Sequence, residues 1–378
     1  MKIEQKKWLP AKGWKPSPPG EWTQTAQLVL VFGSASNLMN QELMKTIQKA
    51  YPKACVFGCS TAGEIFDTQV SDDSLSLTAV HFEHTPIQCI LAQARDLKNS
   101  YHAGEYLAGL LEKKGLVHVF VLSDGINMNG SELVAGLTDH FPPEVTITGG
   151  LSGDGADFKE TFVFLNGPPQ SGAVAAIGLY GKRIKVGFGS LGGWDPFGPE
   201  RLITRSQGNI LYELDHKSAL ELYKIYLGDH ARDLPASGLL FPLSIRTREQ
   251  DSGLVRTILA IDEKRQSLIF AGDVPEGAYA RLMKANFDRL IDGAIGAAKI
   301  SYEAVGRSSP DLAVLISCVG RKMVLKQRVE EEVEGVLEVL GHRTALTGFY
   351  SYGEIAPFTP GGKCVLHNQT MTVTTLSE

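Results

Sequence analysis

Gly58-Cys59-Ser60-Thr61-Ala62-Gly63-Glu64-Ile65 and Gly348-Phe349-Tyr350-Ser351-Tyr352-Gly353-Glu354-Ile355 share the pattern G-x-x-[ST]-x-G-E-I. Each follows a short apolar lead-in, residues 54–57 and 345–347. A degenerate relative, Gly149-Gly150-Leu151-Ser152-Gly153-Asp154-Gly155, follows residues 145–148; it keeps the first glycine and the serine and carries Asp-Gly in place of Gly-Glu. One motif recurring with one lead-in marks an internally repeated fold.

The repeat extends upstream of each motif. Three β-branched stretches end in small residues: 28–32 before Gly33-Ser34, 117–122 before Ser123-Asp124-Gly125, and 312–316 before Ser317. Helical stripes follow each: Met39, Leu43, Ile47 and Ala50; Leu133, Val134 and Leu137 behind Ser131 as N-cap; and Leu325, Val329, Val333, Val336 and Leu340. The expected fold class is therefore α/β, with mixed sheets covered by helices and built from three βαβ-like units, each with a Gly-Ser turn at a strand end. Residues 172–214 read as β-rich, with a turn at Gln207-Gly208-Asn209. A helix follows with Asp215 as N-cap and Gly228 just past its end, and another is predicted over about 277–300 behind a strand at 267–271. The Pro- and aromatic-rich head, residues 1–26, reads as an arm.

Composition narrows the function. The chain has 378 residues, 43% hydrophobic and 21% charged, and a formal charge of −5 with dispersed Lys and Arg, which argues against a nucleic-acid partner. No apolar run approaches the roughly 20 residues of a membrane-spanning helix, and the N-terminus lacks a secretory h-region, so a cytoplasmic protein is expected. Five scattered cysteines (55, 59, 89, 318 and 364) then read as reduced thiols. The 40 glycines are about 14 more than an average usage of roughly 7% would supply, and many stand in the repeated turns.

A Gly-rich turn at a strand end lets backbone approach a ligand and aims a hydroxyl and a carboxylate from one short segment. Glu64, Glu354 and Asp154 are candidates for an ammonium; Ser60, Thr61, Ser152, Tyr350 and Ser351, with the backbone at Gly63 and Gly353, are candidates for a carboxylate. Together they suit a zwitterion-sized ligand, while the competing reading makes them folding devices in which each Glu caps its own turn. There is no G-x-S-x-G elbow, Walker A sequence, H-E-x-x-H, C-x-x-C or EF-hand loop. Gly187-Phe188-Gly189-Ser190-Leu191-Gly192 matches G-x-G-x-x-G, but Gly193-Trp194-Asp195-Pro196 cannot continue as the phosphate-binding helix. His81 and His84 read as a surface pair, Cys55 and Cys59 as packing on one strand face, and Glu330, Glu331, Glu332 and Glu334 as a solvated helix face. His216, at a domain seam expected near Leu214 to Lys217, and His367, in a final strand shortly after the third motif, are candidate axial ligands for a non-covalent haem. An enzyme using Glu64 or Glu354 as general base, and a scaffold docking through the acidic helix, are the alternatives to a binding protein.

The three turns, together with Gly208-Asn209-Ile210-Leu211-Tyr212-Glu213-Leu214-Asp215 and His367-Asn368-Gln369-Thr370, resemble the FIST family of signal-transduction sensors. The resemblance implies an N-terminal FIST domain over 27–214 and a C-terminal one over 215–378. It further implies a non-enzymatic sensory module that binds a small ligand and regulates a separate signalling enzyme, a histidine kinase or a cyclic-di-GMP enzyme. The implied ligand is either an amino-acid-like metabolite or, as in a bacterial stand-alone branch of the family, haem that senses nitric oxide.

Overall fold

A computed structural model describes residues 1–93, 97–247, 253–358 and 361–378. It contains three versions of one unit. The first comprises β1 (Lys2–Leu9), β2 (Gly13–Lys15), β3 (Leu28–Gly33), α1 (Ala35–Leu38), α2 (Gln41–Ala50), β4 (Cys55–Ser60), β5 (Glu64–Phe66), β6 (Gln69–Ser71) and β7 (Leu75–His81). The second comprises β8 (Ile87–Gln93), α3 (Ser100–Leu110), β9 (Leu116–Ser123), α4 (Gly130–His140), β10 (Thr146–Leu151), β11 (Val163–Leu165) and β12 (Ala173–Tyr180).

The third opens with β13 (Lys185–Leu191) and is then interrupted by β14 (Trp194–Gln207), β15 (Ile210–Leu214), β16 (Lys217–Ser218), α5 (Ala219–Leu227), β17 (Leu243–Arg246), β18 (Leu254–Arg256), β19 (Ile258–Asp262), β20 (Ser267–Phe270) and β21 (Tyr279–Ala285). It resumes with α6 (Phe287–Ala304), β22 (Leu312–Cys318), α7 (Val319–Leu325), α8 (Val329–Leu340), β23 (Ala345–Ser351), β24 (Gly353–Pro357), β25 (Cys364–His367) and β26 (Met371–Ser377).

Each unit has a parallel pair (β3–β4, β9–β10, β22–β23) flanked by an antiparallel strand (β7, β12, β26) and an outer strand (β1, β8, β13). The strand after each motif leaves its own sheet for the next one. β5 pairs with β23, β11 with β4, and β24 with β10, in a cycle that interlocks the three sheets. Equivalent registers result: Ile65 faces Gly348, Phe164 faces Gly58, and Ile355 faces Gly149. These three are the first glycine of each motif, and a Cβ there would stand 1.8–1.9 Å from the carbonyl oxygen of Leu315, Val31 or Val121 on the neighbouring parallel strand. The repeated glycine thus serves close strand packing.

The central strands are apolar on both faces, as buried strands are. Leu28, Leu30 and Phe32 join Phe120, Leu122, Leu312, Val314, Ile316, Phe57 and Phe349 in one core shared by the three sheets. Their alternates face outward to the helices: Val29 and Val31 toward α2, and Val119, Val121, Ala313 and Leu315 toward the helical layer of the other two units. Burial of each large apolar side chain contributes about 1.5–3 kcal/mol. The insertion forms a fourth sheet, ordered β18-β17-β21-β14-β15-β20-β19 with β16 on β15, around a separate core that includes Ile203, Leu211 and Tyr223. Among the described residues no helix is long and apolar enough to cross a membrane.

Several expectations change. Residues 1–26 are not a loose arm: β1 pairs with β7 from Lys2 opposite His81 to Trp8 opposite Leu75. Trp8, Trp14 and Trp22 pack on the core beneath α2, where the other units place a second helix. Charged side chains disguise β1, yet Glu4 and Lys7 are buried and bonded: Glu4 accepts from the Gly20 and Trp22 amides, and Lys7 donates to Ser71. Asn129, not Ser131, caps α4, and Ser218, not Asp215, caps α5; Asp215 instead pairs with Arg201. The stretch 277–300 splits into β21 and α6, with Asn286 as the cap, and the third helical stripe breaks at Lys326 into α7 and α8.

Cys55 and Cys89 form a disulfide that ties β4 to β8, whereas Cys59, Cys318 and Cys364 are free and buried; the pairing is set by the meeting of two units, which spacing could not show. The G-x-G-x-x-G stretch is β13, with Gly187 and Gly189 packed against the α6 carbonyls of Ser301 and Ala297.

Candidate functional site

The three motif turns meet. The Ala62 amide donates to the Tyr350 carbonyl and the Tyr350 amide to that of Gly63, each at 2.8 Å; the Gly153 amide donates to the Ser60 carbonyl at 3.0 Å, and the Tyr352 amide to that of Leu151 at 3.2 Å. These bonds join the first turn to the third, the first to the second and the second to the third.

Within this hub the first and third motifs repeat one device. Glu64 is buried and accepts from Thr61 Oγ1 (2.5 Å), the Ser74 amide (3.0 Å) and Ser74 Oγ (2.7 Å). Glu354 is buried and accepts from Ser351 Oγ (2.7 Å), the Thr370 amide (3.1 Å) and Thr370 Oγ1 (2.9 Å). Ser74 and Thr370 each precede the antiparallel strand of their unit, so the carboxylate clamps the motif to that strand. Burial pushes Glu64 up to about 7 and Glu354 up to about 8, against the hydrogen bonds that favour ionisation.

The second unit lacks this Glu, since Gly155 stands in its place. There Asp124, buried at the end of β9, accepts from the Gly172 amide (2.6 Å) and from Thr161 Oγ1 (2.9 Å), and so performs the same clamp from another position. Deprived of its acceptor, Ser152 Oγ is buried without a hydrogen-bond partner. Sequence reasoning misses Asp124, whose signal is the small polar strand end Ser123-Asp124-Gly125.

A cleft of about 310 Å³ opens beside the first two turns, lined by Ser34, Ser36, Thr61–Glu64, Asp72, Asp73, Asp154, Asp157, Lys159 and Glu160. Six of the lining side chains are carboxylates and one is a lysine. Asp154 is committed to the fold: it accepts from the Phe158, Lys159 and Glu160 amides and from Tyr352 Oη, whose ring stacks on Phe158 with centroids 4.3 Å apart. Lys322 of α7 reaches in from the third unit and donates to the Ala62 carbonyl and to Asp72.

Of the residues singled out by sequence, Thr61, Gly63, Glu64 and Asp154 line this cleft. Ser60, Ser152, Tyr350, Ser351, Gly353 and Glu354 lie within the buried hub. Ser60 Oγ accepts from the Phe162 amide at 2.9 Å, and Tyr350 Oη donates to Glu332 at 2.7 Å. Glu332 thus corrects the reading of the acidic helix as a solvated face: it is fully buried, bonded to Ser317 and paired at 2.7 Å with the equally buried Arg321.

The histidines do not come together as a metal centre. His81 Nδ1 contacts the Thr25 carbonyl and His84 faces Arg183, and no group of three or more metal-ligating side chains is present among the described residues. His216 is exposed on the β15–β16 turn. His367 is buried, with Nε2 on the Ala356 carbonyl at 3.1 Å and its ring stacked on Phe358, and burial pushes it down to about 4. Neither lines the acidic cleft, and this arrangement does not fit an axial haem ligand, which needs a ring nitrogen facing a porphyrin-sized space.

Among known proteins, an uncharacterized protein of Methanocaldococcus jannaschii is 23% identical over 206 residues, which is 51% of this chain and 39% of that protein; the chain matches about two-fifths of that relative's length. A crystal structure of cyanuric acid hydrolase from A. caulinodans is similar over 94% of this chain and 91% of that one, at 7% identity and a TM-score of 0.34. The FIST N domain model matches residues 27–217 and the FIST C domain model residues 219–357. The chain belongs to the FIST family, whose domains are associated with signal-transduction sensing.

Proposed function

We propose that this protein is a sensor that binds a small amine-bearing, amino-acid-like metabolite in the acidic cleft and regulates a separate signalling enzyme, such as a histidine kinase or a cyclic-di-GMP enzyme. The supporting observation is the cleft's composition: six carboxylates line about 310 Å³ of space against Lys159 and the Lys322 that reaches in to Asp72, and this excess of negative charge favours an ammonium over an anion. Lys159 and the Ser34 and Ser36 hydroxyls supply donors for a carboxylate on the same molecule. Glu64 is the pivot, because it lines the cleft while clamping the hub. A cation bound beside it favours its ionised form, which links occupancy to the packing of the three turns.

The experiment is a thermal-shift and calorimetric screen of the full chain against free amino acids and their decarboxylated amines. Saturable binding that Asp157→Asn and Glu160→Gln weaken about tenfold or more is expected; both positions lie away from the buried hub. Binding of amines that neither substitution alters, or no binding across the panel, overturns this site.

A further inference from the structure

A second, larger cleft of about 390 Å³ lies between α4 on one side and β17, β18 and β25 on the other. Its walls are apolar, with Val134, Ala135, Ile245, Val365 and Leu366 among them. Arg256 also lines it and is 5% exposed. Its Nε donates to the Asp273 carbonyl (3.0 Å) and Nη1 to the Leu366 carbonyl (2.9 Å); Nη2 has no hydrogen-bond partner among the described residues, and the Asp273 carboxylate acts on the guanidinium without a hydrogen bond to it. A buried guanidinium whose hydrogen bonds go only to neutral carbonyls is costly, and burial lowers it to about 10 against the opposing attraction of Asp273.

One further polar group points the same way: Lys363 stands exposed at the rim. The two lining carboxylates are engaged elsewhere: Asp273 Oδ1 accepts from Asn129 Nδ2 (3.1 Å), and Asp139 accepts from Tyr101 Oη (3.2 Å) at the surface. The volume falls at the lower end of small-molecule sites, roughly 300–1,000 Å³.

We infer that this cleft is a second ligand site, taking a small carboxylate carried on an apolar body, with Arg256 receiving the carboxylate and Lys363 adding a second cation at the rim. The apolar part lies along Val134, Ile245 and Leu366, and the carboxylate accepts from Nη2 of Arg256, which has no partner among the described residues. Because α4 lies in the FIST N match and β17 and β18 in the FIST C match, such a ligand ties the two together. The inference is independent of the acidic cleft.

The test is isothermal titration of the full chain with 4-phenylbutyrate, and with 4-phenylbutanol and 4-phenylbutylamine as neutral and cationic counterparts. The acid is expected to saturate one site and to bind about ten- to a hundredfold more tightly than the alcohol, the range for a charge-assisted hydrogen-bonded pair, with the amine weaker still. Arg256→Met should bring the acid down to the level of the alcohol. Because that change also removes two backbone ties, Ala135→Trp is the second variant: it fills the apolar part from the exposed face of α4, leaves Arg256 in place, and should abolish binding of the acid. Equal affinities for acid and alcohol, undiminished binding in Ala135→Trp, or no saturable binding overturns the inference. So does loss of 4-phenylbutyrate binding in Asp157→Asn, which would put the ligand in the acidic cleft.

Discussion

Replacing Glu354 with Gln should change the pH dependence of stability more than stability itself. Glu354 is buried, bonded to Ser351 and Thr370, and pushed up by burial to about 8, against an ordinary 4.5. A carboxyl whose folded value is raised holds its proton in the folded chain when the unfolded chain has released it. Its stabilising contribution is therefore full below pH 4.5 and is lost as pH rises toward 8 and beyond. At about 1.36 kcal/mol for each pH step of one between those two values, the loss between pH 5.5 and 8.5 is about 3 kcal/mol.

The wild type alone will not show this cleanly. Burial lowers His118 to about 3 and His367 to about 4, and these groups add stability as pH climbs through the unfolded imidazole's range near 6.5. Glu64, raised to about 7, adds a loss of the same sign as Glu354. The difference between wild type and Glu354→Gln cancels those contributions. Glutamine also suits the site: its carbonyl can accept from Thr370 while its amide donates to Ser351 Oγ, which still reaches the Ser317 carbonyl at 3.3 Å. Urea denaturation of both proteins at half-unit steps from pH 5.5 to 8.5 measures it. The variant should gain about 3 kcal/mol on the wild type across that range, and a difference that stays constant within about 0.5 kcal/mol refutes the argument.

Three other outcomes follow from the same geometry. Glu332→Gln leaves Arg321 as an uncompensated buried charge and should cost about 3–5 kcal/mol by urea denaturation, whereas Glu332→Gln with Arg321→Met should cost less than the single change. Gly348→Ala drives a Cβ to 1.8 Å from the Leu315 carbonyl, so it should cost several kcal/mol or abolish soluble expression, while Gly109→Ala, with open space around it, should be nearly silent. Thr61→Ala should cost about 1–3 kcal/mol because Glu64 loses a donor, while Ser152→Ala at the corresponding position should cost nothing, since its hydroxyl has no partner; paired thermal melts compare the two.

Repetition and periodicity are legible because they are local. The motif spacing, the apolar strands at 28–33, 116–123 and 312–318, and the stripes of α2 and α4 follow from side-chain alternation, so the α/β class and the three-unit plan are readable from residues alone. Charged residues alternating through β1 hide a strand, because Glu4 and Lys7 find their partners only when the chain folds.

What the tertiary structure decides concerns partners distant in sequence. The exchange of β5, β11 and β24 among sheets turns three copies of a motif into one hub joined by backbone bonds, and there Ser74 and Thr370, distant in sequence, close on the carboxylates of the first and third copies. Glu354 and Ser351, ligand contacts by their motif, are held inside that hub, while Asp157 and Lys159, which no motif marks, line the acidic cleft. The physical reason is burial. A sequence shows which groups can donate, accept or ionise, but whether each faces its own backbone, a neighbouring unit or open space depends on which surfaces the interlocked sheets remove from water.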